Sequence, residues 1–297
     1  MSNAKRKAEA RAEALRVAGL PEALEARGVD VRDLGNLDGP RNPWTAPVEG
    51  YRHLDEVVAW NHALMEASYA ELQAGRMPIM LGGDHCLGIG SITAVARWCR
   101  EQGKTLRVLW LDAHSDFNTS DVTPSGNIHG MPVACLLGHG EEALTSIAGR
   151  GPALRPEHIC LIGVRSFEDG EAAFLGRLGV RVIFMEEIVR RGLDAVMDEA
   201  LGIAVTGTAG FGVSIDLDAL DPIEAPGVGS PVAQGLSADA LISALDGPQR
   251  RSGFIGIEIA EFNPALDGGG VLIVIEQNLN KSAAQVAASL GQRVRLA

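Results

Sequence analysis

The sequence predicts an α/β protein, a three-layer αβα arrangement around a mainly parallel sheet. Three observations carry that prediction. Short runs that are apolar at nearly every position recur along the chain, stretches with apolar residues at helical spacing lie between them, and long loops rich in Gly, Pro and Ser follow two of the runs. A strand apolar on both faces is covered by helices on both sides, and strands joined by crossover helices run parallel.

In chain order the apolar runs are Pro78 to Leu81, Leu106 to Leu111, His158 to Val164, Val180 to Met185, Phe211 to Leu217 and Phe254 to Ile259. Helical spacing covers Leu54 to Leu72, Gly88 to Gln102, Gly170 to Leu178, Glu186 to Leu201, Ser237 to Leu245 and Lys281 to Leu290, bounded by Gly, Pro or Ser. No internal repeat, low-complexity tract or linker breaks this pattern, so residues 1–297 read as a single domain. The loops Asn118 to Asn127 and Ile223 to Gly235 follow strands, which is where such sheets build their sites.

Composition narrows the function before any motif does. With 46% hydrophobic and 22% charged residues the chain is an ordinary globular protein, not a disordered or fibrous one. Its 26 Lys and Arg against 38 Asp and Glu leave a net charge of -12, which argues against nucleic acid or an anionic membrane as partner and suits a basic small molecule. Cys86, Cys99, Cys135 and Cys160 lie in mostly apolar surroundings without CxxC spacing and read as reduced thiols. No apolar run approaches the roughly 20 residues that span a bilayer, and Met1 to Ala18 is charged, unlike a signal peptide; the expected compartment is the cytoplasm.

Three strand ends carry the chemistry. Asp112, His114 and Asp116 follow the run Leu106 to Leu111 as Asp-x-His-x-Asp. In an extended chain alternate residues share a face about 6.6 Å apart, so the three side chains project together. As a lone motif this run reads equally well as a polar strand end in solvent. Asp216 and Asp218 end another run; a solvated turn suits Asp221 but not these two, which are interleaved with Ile215 and Leu217. Pro78 to Leu81 ends in Gly82-Gly83-Asp84-His85, delivering His85 to the same rim, although a lone histidine there is more often structural. Together they offer four carboxylates and two imidazoles, too much negative charge to pack without cations. Such a set suits two divalent ions sharing bridging carboxylates, and its oxygen-rich ligation points to manganese more than zinc, with cobalt or nickel as possible substitutes.

Gly82-Gly-Asp-His85, Asp112-Ala-His-Ser-Asp116, Ser214-Ile-Asp-Leu-Asp-Ala-Leu-Asp-Pro222 and Glu261-Phe-Asn-Pro264 resemble, in order and spacing, the signatures of the ureohydrolase family of arginases and agmatinases. Asn118-Thr followed by Ser125-Gly-Asn-Ile-His129-Gly resembles the arginase version of its loop. The resemblance spans about Ala14 to Pro264, and several motifs in register make it specific. It implies an arginase-like fold, a guanidino substrate and a homotrimer or homohexamer. It also implies that His85 and Asp116 bind one manganese and His114 and Asp218 the other, with Asp112 and Asp216 bridging. A hydroxide held between the ions would attack, oriented by Asp116, because paired metals make hydroxide available near neutral pH. Glu261 resembles the carboxylate that pairs with the guanidinium, and His129 the histidine that shuttles protons to the leaving amine. Read without the family, Glu261 is a strand-end ion-pair residue and His129 a histidine with local hydrogen bonds. Asn118, Ser125 and Asn127 match positions that contact the substrate α-carboxylate, and Ser230 falls at the rim where Thr is common.

The chain departs from the family pattern at several points. Glu168 stands where an Asp engages the substrate α-amino group, and Cys86 stands where Ser is commoner. Lys5 to Val17 is charged and helix-like where the family starts with a strand and a Gly-rich loop, so the usual first strand is expected to be missing. Asp267 to Gln277 inserts Gly268-Gly-Gly and an apolar Val271-Leu-Ile-Val-Ile. The reading favoured by the loop is hydrolysis of L-arginine to L-ornithine and urea. Its alternatives are an agmatinase or guanidino-acid hydrolase, a single-zinc deacetylase of similar fold, which would not need His85, and an inactive homologue serving as an assembly subunit.

Overall fold

A computed structural model describes residues 15–16, 19–26, 28–41, 45–205, 208–245, 253–267 and 293–296. In chain order its longer elements are α1 (Leu20–Glu25), β1 (Val31–Asp33), α2 (Leu54–Gln73), β2 (Arg76–Leu81), α3 (Gly88–Glu101), β3 (Leu106–Leu111), α4 (Pro132–Leu136), α5 (Glu142–Thr145), β4 (Ile159–Val164), α6 (Asp169–Leu178), β5 (Arg181–Phe184), α7 (Met185–Arg191), α8 (Leu193–Val205), β6 (Gly210–Asp216), α9 (Ala238–Leu245), β7 (Phe254–Ala260) and β8 (Arg293–Leu296). Among the described residues no helix is long and apolar enough to cross a membrane.

The eight strands form one sheet in the order β1-β8-β2-β7-β6-β3-β4-β5, and every pairing is parallel. Side chains alternate between its two faces as the strand period of two requires. Along β3, Leu109 and Leu111 enter one core with Val196 and Met197 of α8 and Leu241 of α9. Val108 and Trp110 enter the other, with Met65 of α2, Ile89 and Val95 of α3 and Leu175 of α6. Helices therefore cover both faces, which is the three-layer αβα architecture expected from the apolar runs.

All six predicted strands form, with ends displaced by a residue or two. The helix expected over Glu186 to Leu201 is instead two, α7 and α8, because Gly192 adopts φ 84, which ends one helix before the next begins. The helix expected over Lys281 to Leu290 and the Gly268 to Gln277 insertion lie outside the described residues, as do most positions of Lys5 to Val17. The first strand in the described chain is the edge strand β1, and the C-terminal strand β8 pairs between it and β2. All four cysteines are free and buried. Burial pushes the Cys135 and Cys160 thiols up to about 12, which keeps them unreactive.

One close contact fixes how α3, the helix that follows the His85 turn, lies on α2. Gly90 N donates to the fully buried Asn61 Oδ1 at 2.6 Å, and Asn61 Nδ2 donates back to Val57 O at 2.9 Å. A Cβ on Gly90 would stand 2.4 Å from the Asn61 carbonyl oxygen, a backbone atom that cannot rotate away. Gly90→Ala should therefore destabilise the fold by about 1–3 kcal/mol through overpacking, seen as a lower urea midpoint at unchanged slope. An unchanged midpoint would mean that the two helices are free to separate.

Candidate active site

Strands β2, β7, β6 and β3 are neighbours, so their carboxyl ends open on one rim, with β4 beside β3. After β2, the Gly82-Gly83 turn brings Asp84 and His85 round to face β7. Gly82 N donates to Ile259 O at 2.7 Å and Glu261 N to Gly83 O at 2.9 Å, so the two strand ends remain stitched beyond the sheet. After β3, Asp112 and His114 stay beside β4, whose continuation donates from Arg165 N and Ser166 N to Ala113 O at 2.8 and 2.9 Å. The run then stops being extended, because Asp116 turns into the left-handed region at φ 50. Asp116 thus reaches His85 through a backbone turn rather than by simple alternation, a conformation Asp tolerates better than most residues. Asp216 ends β6 and Asp218 sits on the short helical turn after it, with Asp218 N donating to Asp216 Oδ1 at 2.8 Å.

The six predicted ligands converge. Three carboxylate oxygens surround His85 Nδ1: Asp112 Oδ2 at 3.1 Å, Asp116 Oδ2 at 3.2 Å and Asp216 Oδ2 at 3.1 Å. His114 Nδ1 lies 3.0 Å from Asp218 Oδ2 and 3.5 Å from Asp112 Oδ1. Asp112 therefore turns one oxygen to each histidine, the arrangement of a bridging carboxylate. Asp216 Oδ2 groups with His85 and Asp112, while its Oδ1 faces Asp218 of the second group and accepts from Asp218 N.

This donor set fits two cations. His85 Nδ1 and Asp116 Oδ2 are buried without a hydrogen-bond partner although they lie 3.2 Å apart. Their orientation is that of two ligands facing a common point. Without a cation the charges are met by protons. Burial opposes a charged His85, but the three carboxylates outweigh it and raise its pKa well above the usual value. The same contest raises His114 to about 11 through Asp112 and Asp218. Burial, then the Asp112 charge, raises Asp116 to about 8; burial, then Asp218 and Asp112, raises Asp216 well above its usual value.

A cavity of about 130 Å³ opens over this cluster. Its walls include His85, His114, Asp116, Asp216 and Asp218 at the base, Glu261 and His129 on one side, and Asn118, Ser125, Asn127, Glu168 and Ser230 toward the mouth. Every sequence-predicted site residue except Asp112, which is fully buried, thus lines one pocket. Glu261 has φ 62, and its Oε1 accepts from His85 N at 2.8 Å. Burial, then Asp84, raises its pKa to about 7. His129 Nδ1 stands 4.0 Å from Glu261 Oε1, and its pKa is raised despite burial because Asp84, Glu261 and Asp116 surround it. Asn118 Nδ2 donates to Glu168 Oε2 at 2.9 Å, holding that carboxylate at the wall.

Several residues that shape the site carry no signal as motifs. Trp110 stacks on the His85 ring at 4.1 Å and donates from Nε1 to Asp112 Oδ2 at 3.0 Å. His85 Nε2 lies 2.8 Å from Ser214 Oγ, and Ser91 donates to the buried Glu258 behind them. Arg165 donates to the carbonyls of Asp218, Leu220, Val232 and Ala233, at 2.7, 3.3, 2.8 and 3.1 Å, clamping the turn that carries Asp218 to the loop beyond it. Buried Glu171 accepts from Ser115 Oγ at 2.6 Å, Phe117 N at 2.9 Å and Glu168 N at 2.8 Å, fastening the loop after β3 to the start of α6.

Residues 2–293 match the family described as the arginase family. The arginase of Bacillus caldovelox is 41% identical over 256 residues, which cover 86% of this chain and 84% of that protein. The arginase of Brevibacillus brevis is 40% identical over 254 residues, with the same coverage of 86% and 84%. The solved native structure of Bacillus caldovelox arginase superimposes with a TM-score of 0.83 at 37% identity, covering 96% of this chain and 91% of that one.

Metal uptake must displace the protons that neutralise the cluster. Because Asp116 is raised to about 8 in the absence of metal, it holds a proton below that pH and must lose it to become a ligand. Manganese binding to the metal-free protein should release protons, and its apparent affinity should weaken as pH falls below about 8. Calorimetry in buffers of different ionisation enthalpy reads both; binding without proton release would contradict this account of the cluster.

Proposed function

Because the chain belongs to the arginase family, and is thus a ureohydrolase that cleaves a non-peptide C–N bond, we propose that it hydrolyses L-arginine to L-ornithine and urea with two manganese ions per chain. The observation that carries this reading is one cavity with the His85, Asp112, His114, Asp116, Asp216 and Asp218 cluster at its base and the neutral donors Asn118, Ser125 and Asn127 at its mouth. A cationic head fits the first, and a carboxylate at the far end of the substrate fits the second.

His85 and Asp116 would hold one ion and His114 and Asp218 the other, with Asp112 and Asp216 between them. Bound there, the ions supply hydroxide near neutral pH, which a resonance-stabilised guanidinium requires. The protein's own groups do the rest. Asp116 would accept a hydrogen bond from that hydroxide and orient it toward the guanidinium carbon. Glu261, fixed by His85 N, pairs with the planar guanidinium; a cation beside this carboxylate restores the charged form that burial opposes. As the tetrahedral carbon collapses, the departing amine needs a proton. His129, beside Glu261 and raised in pKa by its acidic neighbours, holds that proton and delivers it. At the mouth, Asn118, Ser125 and Asn127 receive the α-carboxylate, and Glu168, positioned by Asn118, receives the α-amino group. Ser230 completes the rim.

His129→Ala should slow turnover by roughly 10²–10⁴, the usual worth of a positioned acid, while both metals stay bound. Loss of manganese from that variant, or an unchanged rate at every pH, would remove the proton role.

Urea release should give kcat/KM highest for arginine over agmatine and 4-guanidinobutyrate, since polar donors left without a partner cost discrimination that apolar contact does not restore. Asn118→Ala should then lower kcat/KM for arginine far more than for agmatine. A preferred substrate without a carboxylate would refute the arginine reading, and one without an α-amino group would remove the role given to Glu168.

A further inference from the structure

We propose that Asp84, His129 and Glu261 form a third cation site at one side wall of the pocket, one that takes zinc and, when filled, blocks the guanidinium subsite. None of the three belongs to the six-ligand cluster, yet each offers one ligand atom within 4.8 Å of the others. They come from three separate loops, after β2, β3 and β7, and the backbone holds them together. Glu261 N donates to Gly83 O at 2.9 Å, Glu261 Oε1 accepts from His85 N at 2.8 Å, and Asp84 Oδ1 accepts from Cys86 N at 3.0 Å. Those bonds leave one oxygen of each carboxylate uncommitted. Among the described residues the His129 ring has no hydrogen-bond partner, only Glu261 Oε1 at 4.0 Å.

The donor set selects the ion. Two carboxylates and one imidazole, open to solvent on the Asp84 side, match the three protein ligands plus water of a tetrahedral zinc site. With metal–ligand bonds of about 2.0–2.2 Å, donor atoms in such a site stand roughly 3.3–3.6 Å apart, so small side-chain rotations close this one. Two carboxylates cancel the charge of a dication. The divalent series favours zinc over manganese at such a set, and a site open to solvent that supplies three protein ligands suits the four-coordinate geometry of zinc.

Filling this site has a definite consequence, which rests on the arginine reading for its kinetic form. Zinc held by Glu261 removes the partner of the guanidinium, and zinc held by His129 takes the nitrogen that would carry the proton. Substrate and zinc then compete, so zinc raises the apparent KM while kcat at saturating arginine is unchanged.

The test uses the manganese-loaded protein dialysed against graded zinc, with both metals counted per chain, beside urea-release kinetics at each zinc concentration. The expected result is one zinc bound beyond the retained manganese, with competitive inhibition. Asp84→Asn keeps the oxygen that accepts from Cys86 N but loses the charge; it should bind that zinc roughly tenfold or more weakly and be correspondingly less inhibited relative to its own zinc-free rate. Zinc that binds only as manganese leaves, or binds Asp84→Asn as tightly as the parent protein, would overturn the proposal. Because the dialysis counts metal without turnover, failure of the arginine reading leaves that arm intact and distinguishable.

Discussion

Four carboxylates and two imidazoles lie within a few ångströms of one another at the carboxyl rim of the sheet, and the rest of the structure follows from the charge this creates. At 4 Å two like charges repel by about 4 kcal/mol even at an effective dielectric of 20, so Asp112, Asp116, Asp216 and Asp218 cannot all be ionised together without compensation. Protons supply it in the absence of metal: His85 and His114 are held charged, and Asp116 and Asp216 are held neutral. Two divalent ions supply the same charge without protonating any ligand. The donor set suits cations, and its orphaned His85 Nδ1 and Asp116 Oδ2 face a point where one of them would be held.

Holding such a cluster in place falls to the sheet and to the groups behind the ligands. Parallel neighbours β2, β7, β6 and β3 present their ends at one level, so residues distant in sequence meet without long excursions. Behind them, Trp110 braces both the His85 ring and the Asp112 carboxylate, and Ser214 engages the far nitrogen of His85. Arg165 binds the carbonyls around Asp218, and Glu171 ties the loop after β3 to α6. Metal-binding histidines in proteins are usually oriented through their second nitrogen in this way.

Much of this was legible in the sequence, and the limits of legibility have physical causes. The six strands β2 to β7 were visible because burial within the sheet favours continuous apolar runs. The cluster was visible because carboxylates interleaved with Ile215 and Leu217 have no solvent to point into. The short strands β1 and β8, three and four residues long, gave no such run. The break at Gly192 was hidden because apolar spacing continues across it while the backbone does not. Alternation placed Asp112 and His114 correctly but not the path to Asp116, whose positive φ is a tertiary outcome. Trp110, Arg165 and Glu171 look like ordinary strand, turn and helix residues until the fold shows what they touch.

The mouth of the pocket sets what the chemistry acts upon. There a single amide, Asn118, both anchors Glu168 and faces the cavity, so the groups proposed for the α-carboxylate and the α-amino group are coupled to each other. All of this presupposes that the base of the pocket holds a pair of ions. Anomalous scattering from manganese-loaded crystals tests that most directly. Two manganese peaks on either side of Asp112, one against His85 and Asp116 and the other against His114 and Asp218, are predicted; a single tetrahedral ion at this rim would contradict the account.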